Sequence, residues 1–196
     1  MQDFLRHINL ENQKFKCYVN TDEEETITLT VDIHNILNDA ASENEISLLR
    51  KLIPHNNGEL IDFYTTHNGI KLYCNNDTSG IEFYAAKDLN KLNEMWKEEL
   101  AYFEDYQLYD FQKGGVAFGE ISHSGNYFVL FEGAVFYSDH DGEDEEAIGA
   151  TFFDFLSKIA DNPADLLFKM GCYTRYSDGK TNKQYIPKEF ATTENL

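Results

Sequence analysis

The sequence predicts an α+β fold, because strand patterns joined by short turns alternate along the chain with helical patterns. Residues 126–131 (NYFVLF) are apolar on both faces of a strand, which is typical of a central strand covered on both sides. Residues 116–121 and 134–138 predict its neighbours in an antiparallel meander, with Glu132-Gly133 as a tight reversal. We interpret residues 1–196 as a single domain that is long enough to bury its own core.

The N-terminal residues 1–42 predict an extension that carries a β-hairpin. Apolar and polar side chains alternate from Phe15 to Val19 and again from Ile27 to Ile33, and the second run is rich in β-branched residues. The connection between the two runs contains NTDEEE, which is charged and polar as expected of an exposed loop. The polar faces of both strands indicate that one side of the hairpin meets water.

Residues 43–68 predict two helices separated by Pro54, because apolar residues recur there at helical spacing. The second helix is expected to start near Asn57. It is expected to end at Asn68-Gly69, because glycine can take the left-handed conformation that closes a helix.

A second hairpin is predicted from residues 70–74 and 81–84, which are joined by the turn-forming residues NNDTSG. Asp88 is a candidate N-cap for a third helix, whose apolar positions recur at helical spacing through residues 89–103. Residues 104–115 lack this periodicity, so we interpret them as a loop before the meander.

The C-terminal part of the chain predicts two more helices and a tail. Residues 152–159 form a strongly apolar helical pattern, and Asn162-Pro163 opens another helix that is expected to end at Gly171. Residues 169–196 form a tail of mixed composition, whose aromatic side chains are candidates for packing against the domain.

The balance of charge is strongly acidic, with 35 Asp and Glu residues against 16 Lys and Arg residues and a net charge of −19. Such a surface repels phosphate backbones, so direct nucleic-acid binding is not expected. It would attract a basic protein partner and speed the encounter. An acidic surface that serves only solubility explains the same composition, so both interpretations remain open.

The three cysteines, Cys17, Cys74 and Cys172, form no Cys-x-x-Cys pair, so neither a zinc knuckle nor a redox motif is predicted. Reduced thiols of this kind are typical of a cytoplasmic protein. The N-terminus lacks a signal pattern, and no apolar run reaches the length of a membrane span. We therefore expect a cytoplasmic location and no membrane partner.

The order of these elements carries a family resemblance. The residues that carry it are Leu52-Ile53-Pro54, Leu60, Phe63, Tyr64, Asn68, Gly69, Ile70, Ile81, Phe83, Tyr84, Leu89, Gly125-Asn126-Tyr127-Phe128, Gly133-Ala134-Val135, Asp139-His140-Asp141 and Phe152-Phe153-Asp154-Phe155-Leu156. In this order and spacing they are similar to the SUKH superfamily, which groups fungal cell-wall assembly regulators with bacterial immunity proteins of polymorphic toxin systems. The resemblance covers residues 43–168.

The resemblance implies a mostly antiparallel sheet with helices packed around it. It also implies a protein that is not an enzyme and that needs no cofactor. The bacterial members resemble inhibitors that bind a cognate toxin, often a nuclease, and block it without catalysis. The fungal members imply an alternative, a regulatory or scaffold module that binds a cellular protein. The superfamily does not identify the toxin, because one fold serves many functions.

An acidic run between the meander and the apolar helix is the candidate contact with such a partner. Its carboxylates are Asp139, Asp141, Glu143, Asp144, Glu145 and Glu146. Presented from a loop, they could occupy the phosphate positions on a toxin's basic side chains. A solvated loop whose acidic residues favour the following helix through its dipole is an equally good interpretation.

Metal and catalytic interpretations of this region are weaker. Residues 139–144 have carboxylates at alternating positions, namely Asp139, Asp141 and Glu143. The glycine stands at the fourth position and not the sixth, and Ala150 stands at the twelfth where a calcium loop has glutamate, so we expect no metal site. Ser124, His140 and Asp141 supply the residue types of a hydrolytic triad without a nucleophile-elbow sequence. A hydrolase or metal-dependent enzyme is thus the third hypothesis.

Overall fold

The fold is an antiparallel sheet with helices on both faces. It was analysed in a computed structural model that describes residues 13–19, 28–53, 57–75, 79–102, 108–139, 146–161 and 185–187. The strands are β1 (Gln13–Val19), β2 (Thr28–Leu37), β3 (Ile70–Cys74), β4 (Ile81–Phe83), β5 (Val116–Ile121), β6 (Asn126–Phe131), β7 (Ala134–Ser138), β8 (Ala147–Gly149) and β9 (Tyr185–Pro187). The helices are α1 (Glu43–Leu52), α2 (Gly58–Tyr64), α3 (Leu89–Ala101), α4 (Asp110–Gly114) and α5 (Phe152–Asp161). A short 3-10 helix (Ala86–Asp88) precedes α3.

The strands of the described residues follow one another across the sheet in the order β8-β7-β6-β5-β4-β3-β2-β1-β9. All of the pairings in this order are antiparallel, which confirms the predicted α+β fold. β1 and β2 form the hairpin predicted for the N-terminal segment. β2 also pairs with β3, so this hairpin continues the main sheet.

The meander around β6 has the predicted strands and turn. Every residue of β6 except Phe131 is buried, as its two apolar faces predict. Glu132 has a φ of 50° and Gly133 a φ of 89°, so both turn residues are left-handed. Two consecutive left-handed residues are the requirement of the tightest hairpin turns, so the predicted reversal is confirmed.

One face of the sheet is packed by an aromatic cluster under α2 and α5. Its members are Phe63, Phe83, Phe118, Phe128, Phe152 and Phe155, and their ring centroids lie 5.1–6.2 Å apart in the contacting pairs. Because successive strand residues point to opposite faces, Phe128 faces α5 while Tyr127 and Val129 face away from it. The phenylalanine-rich helix is therefore a core element.

The other face of the sheet is covered by α3 and α4. The Trp96 indole N–H donates to the Ser138 hydroxyl at 3.0 Å. The Asn93 side chain donates to the Ala117 carbonyl oxygen at 2.8 Å and accepts from the Ala117 N–H at 2.9 Å, which fixes α3 against β5. On α4, the Phe111 ring stacks on Phe136 with centroids 4.7 Å apart.

Several element boundaries differ from the prediction. α2 ends at Tyr64 rather than at Asn68, because the Thr65 and Thr66 hydroxyls donate to the Asp62 and Phe63 carbonyl oxygens and satisfy the last turn. The predicted loop 104–115 contains the short helix α4. Asp88 precedes α3 but makes no side-chain capping bond, since the chain enters through the 3-10 helix. β8 was not predicted.

Other predicted features lie outside the described residues. These are the separation at Pro54, the last predicted apolar position of the third helix (Phe103), the helix from Pro163 to Gly171 and most of the tail. Within the ranges that the structure describes, no helix has the length and apolar character needed to cross a membrane.

Candidate functional site

The predicted acidic run connects β7 to β8 at one end of the described sheet. Asp139 directly follows β7 and is half-buried, and Glu146 directly precedes β8 and is exposed. Asp141, Glu143, Asp144 and Glu145 lie outside the described residues. The antiparallel pairing of Val135 with Gly149 brings both ends of the run to the same hairpin. We call residues 139–146 the acidic segment.

A second candidate site, which sequence patterns did not indicate, is a groove between α3 and the sheet. Its volume is about 740 Å³. Strand residues including Lys71, Glu82, Glu120 and Tyr127 line one side, and the helix residues Lys91 and Met95 line the other. We call this cavity the α3 groove.

The floor of the α3 groove is a row of directly opposed residues on neighbouring strands. Lys71 is opposite Glu82, Glu82 is opposite Glu120, and Glu120 is opposite Tyr127. The row continues to Ser138, which is opposite Tyr127 and directly precedes the acidic segment. Directly opposed residues share one face of the sheet, so two carboxylates, Glu82 and Glu120, stand side by side. Like charges in this arrangement destabilise a sheet.

Glu120 is the most buried charged group in the groove, with 4% of its surface exposed. Its Oε1 atom accepts from the Tyr84 hydroxyl at 2.7 Å and from the His123 backbone N–H at 3.4 Å. Burial raises the pKa of the Glu120 carboxyl despite these two donors, and the neighbouring charge of Glu82 raises it further. The surroundings of Glu120 therefore disfavour its charged form.

Two other carboxylates of the groove, Glu82 and Glu99, each have a close partner. The Lys71 ammonium lies 3.2 Å from Glu82 Oε2, and the Glu82 side chain is 19% exposed. The Tyr127 hydroxyl donates to Glu99 Oε1 at 3.0 Å, and burial is the largest cause that raises the pKa of Tyr127. The protonated phenol is thereby maintained as a donor to Glu99.

We expect Glu120→Gln to stabilise the protein at neutral pH. The unfolded chain releases the Glu120 proton near the ordinary value of 4.5, whereas the folded chain keeps it to higher pH. Stability of the natural protein therefore falls as pH rises through this window, and the loss is complete above the folded pKa. Glutamine cannot ionise, and it keeps the oxygen that accepts from Tyr84. Thermal unfolding should show a gain of a few degrees at about pH 7.5 that disappears at about pH 4.

The control for this measurement is Glu94→Gln, at an exposed position of α3 outside the groove. It should change the unfolding temperature little at either pH. An equal gain in both variants would mean that net charge, and not the environment of Glu120, sets the effect.

Sequence patterns do not indicate the residues of the groove, because each of them gives only a weak signal in the sequence. Glu82 and Glu120 each interrupt an apolar strand pattern at a position that alternation assigns to the polar face. An alternating pattern does not distinguish a polar residue that faces solvent from one that lines a groove. Only the register between β4 and β5 brings the two carboxylates together.

Of the three residues considered for a hydrolytic triad, the structure describes Ser124 alone. The Ser124 hydroxyl donates to the Ile121 carbonyl oxygen at 2.8 Å and accepts from the Asn126 N–H at 3.0 Å, which are bonds of the β5–β6 turn. His140 and Asp141 lie outside the described residues. In the same described ranges, no group of three His, Cys, Asp or Glu side chains is arranged to hold a metal ion.

Comparison with known proteins gives one positive result. Residues 41–158 match the family described as SMI1 / KNR4 family (SUKH-1). The match spans more than half of the chain and includes α1 to α4, β3 to β8 and most of α5. A search of curated proteins found no match. The predicted superfamily resemblance is confirmed, and the chain belongs to the SMI1 / KNR4 family (SUKH-1).

Proposed function

We propose that this protein is an immunity protein, which binds a cognate toxin in the cytoplasm and neutralises it by stoichiometric, non-catalytic binding. Membership of the SUKH-1 family is the observation that carries the proposal. The net charge of −19 favours a basic partner, and we propose a basic toxin domain such as a nuclease. A nuclease needs basic side chains to hold phosphates, and an acidic protein can cover those side chains.

The acidic segment is the proposed contact with that basic surface. Carboxylates that lie between two paired strands in the sequence can bind the basic side chains of a surface built for a phosphate backbone. Each charge-assisted bond to arginine or lysine then replaces one that the toxin makes to its substrate. Blocking would require no chemistry on the toxin, only occupation of its binding surface.

The test is co-expression with the toxin domain encoded beside this gene. We expect the two proteins to elute together at a one-to-one ratio and the host cells to survive toxin induction. A variant lacking the acidic segment should be tested beside the natural chain. If no adjacent toxin domain binds or is neutralised, the immunity function is wrong.

A regulatory or scaffold role is the alternative, because the matched family also carries the SMI1 / KNR4 name in its description. Under this alternative the partner is a cellular protein and its activity is not a threat to the host. Gene neighbourhood separates the two proposals: an adjacent toxin gene supports immunity, and an adjacent cell-wall or signalling cluster supports regulation.

A further inference from the structure

We infer that the α3 groove is a receptor for one arginine side chain of the partner protein, with its guanidinium group held at Glu82 and Glu120. The identity of the partner as a toxin rests on the proposed function. The groove itself is argued from the residues that form it.

The groove has the shape and the apolar walls that a long side chain needs. A volume of about 740 Å³ is ample for one arginine and part of its backbone. Ile36 and Met95 line it and are 47% and 38% exposed. They are two of the four exposed large hydrophobic residues in the described part of the chain. Either side chain offers apolar surface to the methylene stem of arginine.

The floor of the groove is arranged for a cation. Glu82 and Glu120 are directly opposed, and among the described residues only Glu82 has a lysine as an ion-pair partner. Glu99 faces the same cavity from α3. Like charges held side by side on a sheet are costly unless a positive group lies between them. A bound guanidinium would supply that group and would lower the raised pKa of Glu120.

Other charged groups of the groove set its selectivity. Lys87, Asp88, Lys91 and His123 also line it, and the two lysines and His123 are exposed. Lys71 already supplies an ammonium group to Glu82 at 3.2 Å. A planar guanidinium presents several donors in a fork, sheds water more easily than an ammonium and stays charged when buried. These properties suit the buried Glu120 better than a second lysine would.

The row of residues that forms the groove floor ends beside Asp139, the first residue of the acidic segment. Tyr127 of the groove floor is directly opposed to Ser138, and Asp139 is the next residue along the chain. Trp96 of α3 donates to that same Ser138. Asp139 and the groove floor are therefore linked through Ser138.

The groove can be tested without any toxin. The full chain, labelled with carbon-13, is titrated with acetyl-Gly-Arg-Gly-amide, and the side-chain carboxyl resonances of Glu82 and Glu120 are followed by NMR. The control peptide carries citrulline, which has the same shape as arginine and no charge. We expect saturable shifts of both resonances and binding at least about fivefold weaker for citrulline. Glu120→Gln should lose this preference, and Glu94→Gln should keep it.

Two results of the titration would contradict the proposal that the α3 groove binds arginine. One is equal binding of the arginine and citrulline peptides. The other is a response to sodium phosphate in place of the arginine peptide, since phosphate would indicate an anion site built on Lys71, Lys87 and Lys91. Met95→Arg is a second variant, at a partly exposed residue, that should fill the groove from α3 and abolish peptide binding.

The same variants separate the groove from the proposed function. If the natural chain binds the adjacent toxin, Glu120→Gln and Met95→Arg should weaken that affinity at least about tenfold and Glu94→Gln should not. If all three variants still bind the toxin with unchanged affinity, the proposed role of the groove is wrong and the immunity function is unaffected. Peptide binding without any toxin binding would support the groove and overturn the immunity function.

Discussion

Replacing Phe155 with alanine is expected to lower the free energy of unfolding by about 3–5 kcal/mol, the range for truncating a large buried aromatic side chain. Phe155 is fully buried in α5, and its ring centroid lies 5.1 Å from Phe128, 6.0 Å from Phe83 and 6.1 Å from Phe118. These neighbours belong to three different strands, so the cavity cannot collapse by moving one side chain. Denaturant unfolding followed by tyrosine and tryptophan fluorescence measures the loss.

Phe153 provides a control on the same helix. It is half-buried, and Phe152, 6.0 Å away, is its ring contact among the described aromatic pairs. Phe153→Ala should cost much less than Phe155→Ala. Equal losses in the two variants would mean that the aromatic cluster around Phe155 contributes no more to stability than the half-buried surface of Phe153, since alanine favours the helix at both positions.

Reversing four charges of the acidic segment is expected to slow association with a basic toxin by at least about tenfold at low salt, because electrostatic attraction governs the encounter rate. The variant replaces Asp141, Glu143, Asp144 and Glu145 with lysine. Its association rate should also depend less on ionic strength than that of the natural protein. Stopped-flow mixing over a series of salt concentrations measures both quantities.

The control must carry the same net charge, because the whole protein contributes to attraction. Lysine at four exposed acidic positions away from the segment, namely Asp62, Glu94, Asp110 and Asp161, gives that control. An association rate that falls equally in both variants would mean that total charge drives the encounter. If the association rate falls in neither variant, the interface lies away from the acidic segment.

Local patterns predicted the elements that have a strong periodic signal. β6 is apolar on both faces, and the structure buries it between two helical layers. The Glu132-Gly133 reversal, the apolar stripe of α3 and the phenylalanine-rich α5 are also where the sequence predicts them. Each depends on residues that are close in the chain, and a pattern of near neighbours is what a sequence displays directly.

Local patterns did not predict the shortest elements. α4 has five residues and β8 has three, and neither length allows a periodic pattern to repeat. Tertiary contacts stabilise them instead. Phe111 of α4 stacks on Phe136 of β7, and β8 pairs with β7 beside α5. An element stabilised mainly by its neighbours has little propensity of its own to detect.

The sequence by itself determined the family, the fold class and the acidic character of this protein, because order, periodicity and charge are properties of the chain. The tertiary structure alone decided that Glu82 and Glu120, 38 positions apart in numbering, face each other beneath α3. Strand register produces that meeting, and a shift of one residue in the pairing of β4 with β5 would turn one of the two carboxylates to the opposite face. The acidic segment could be proposed from composition, whereas the α3 groove required the pairing of strands that are distant in the chain.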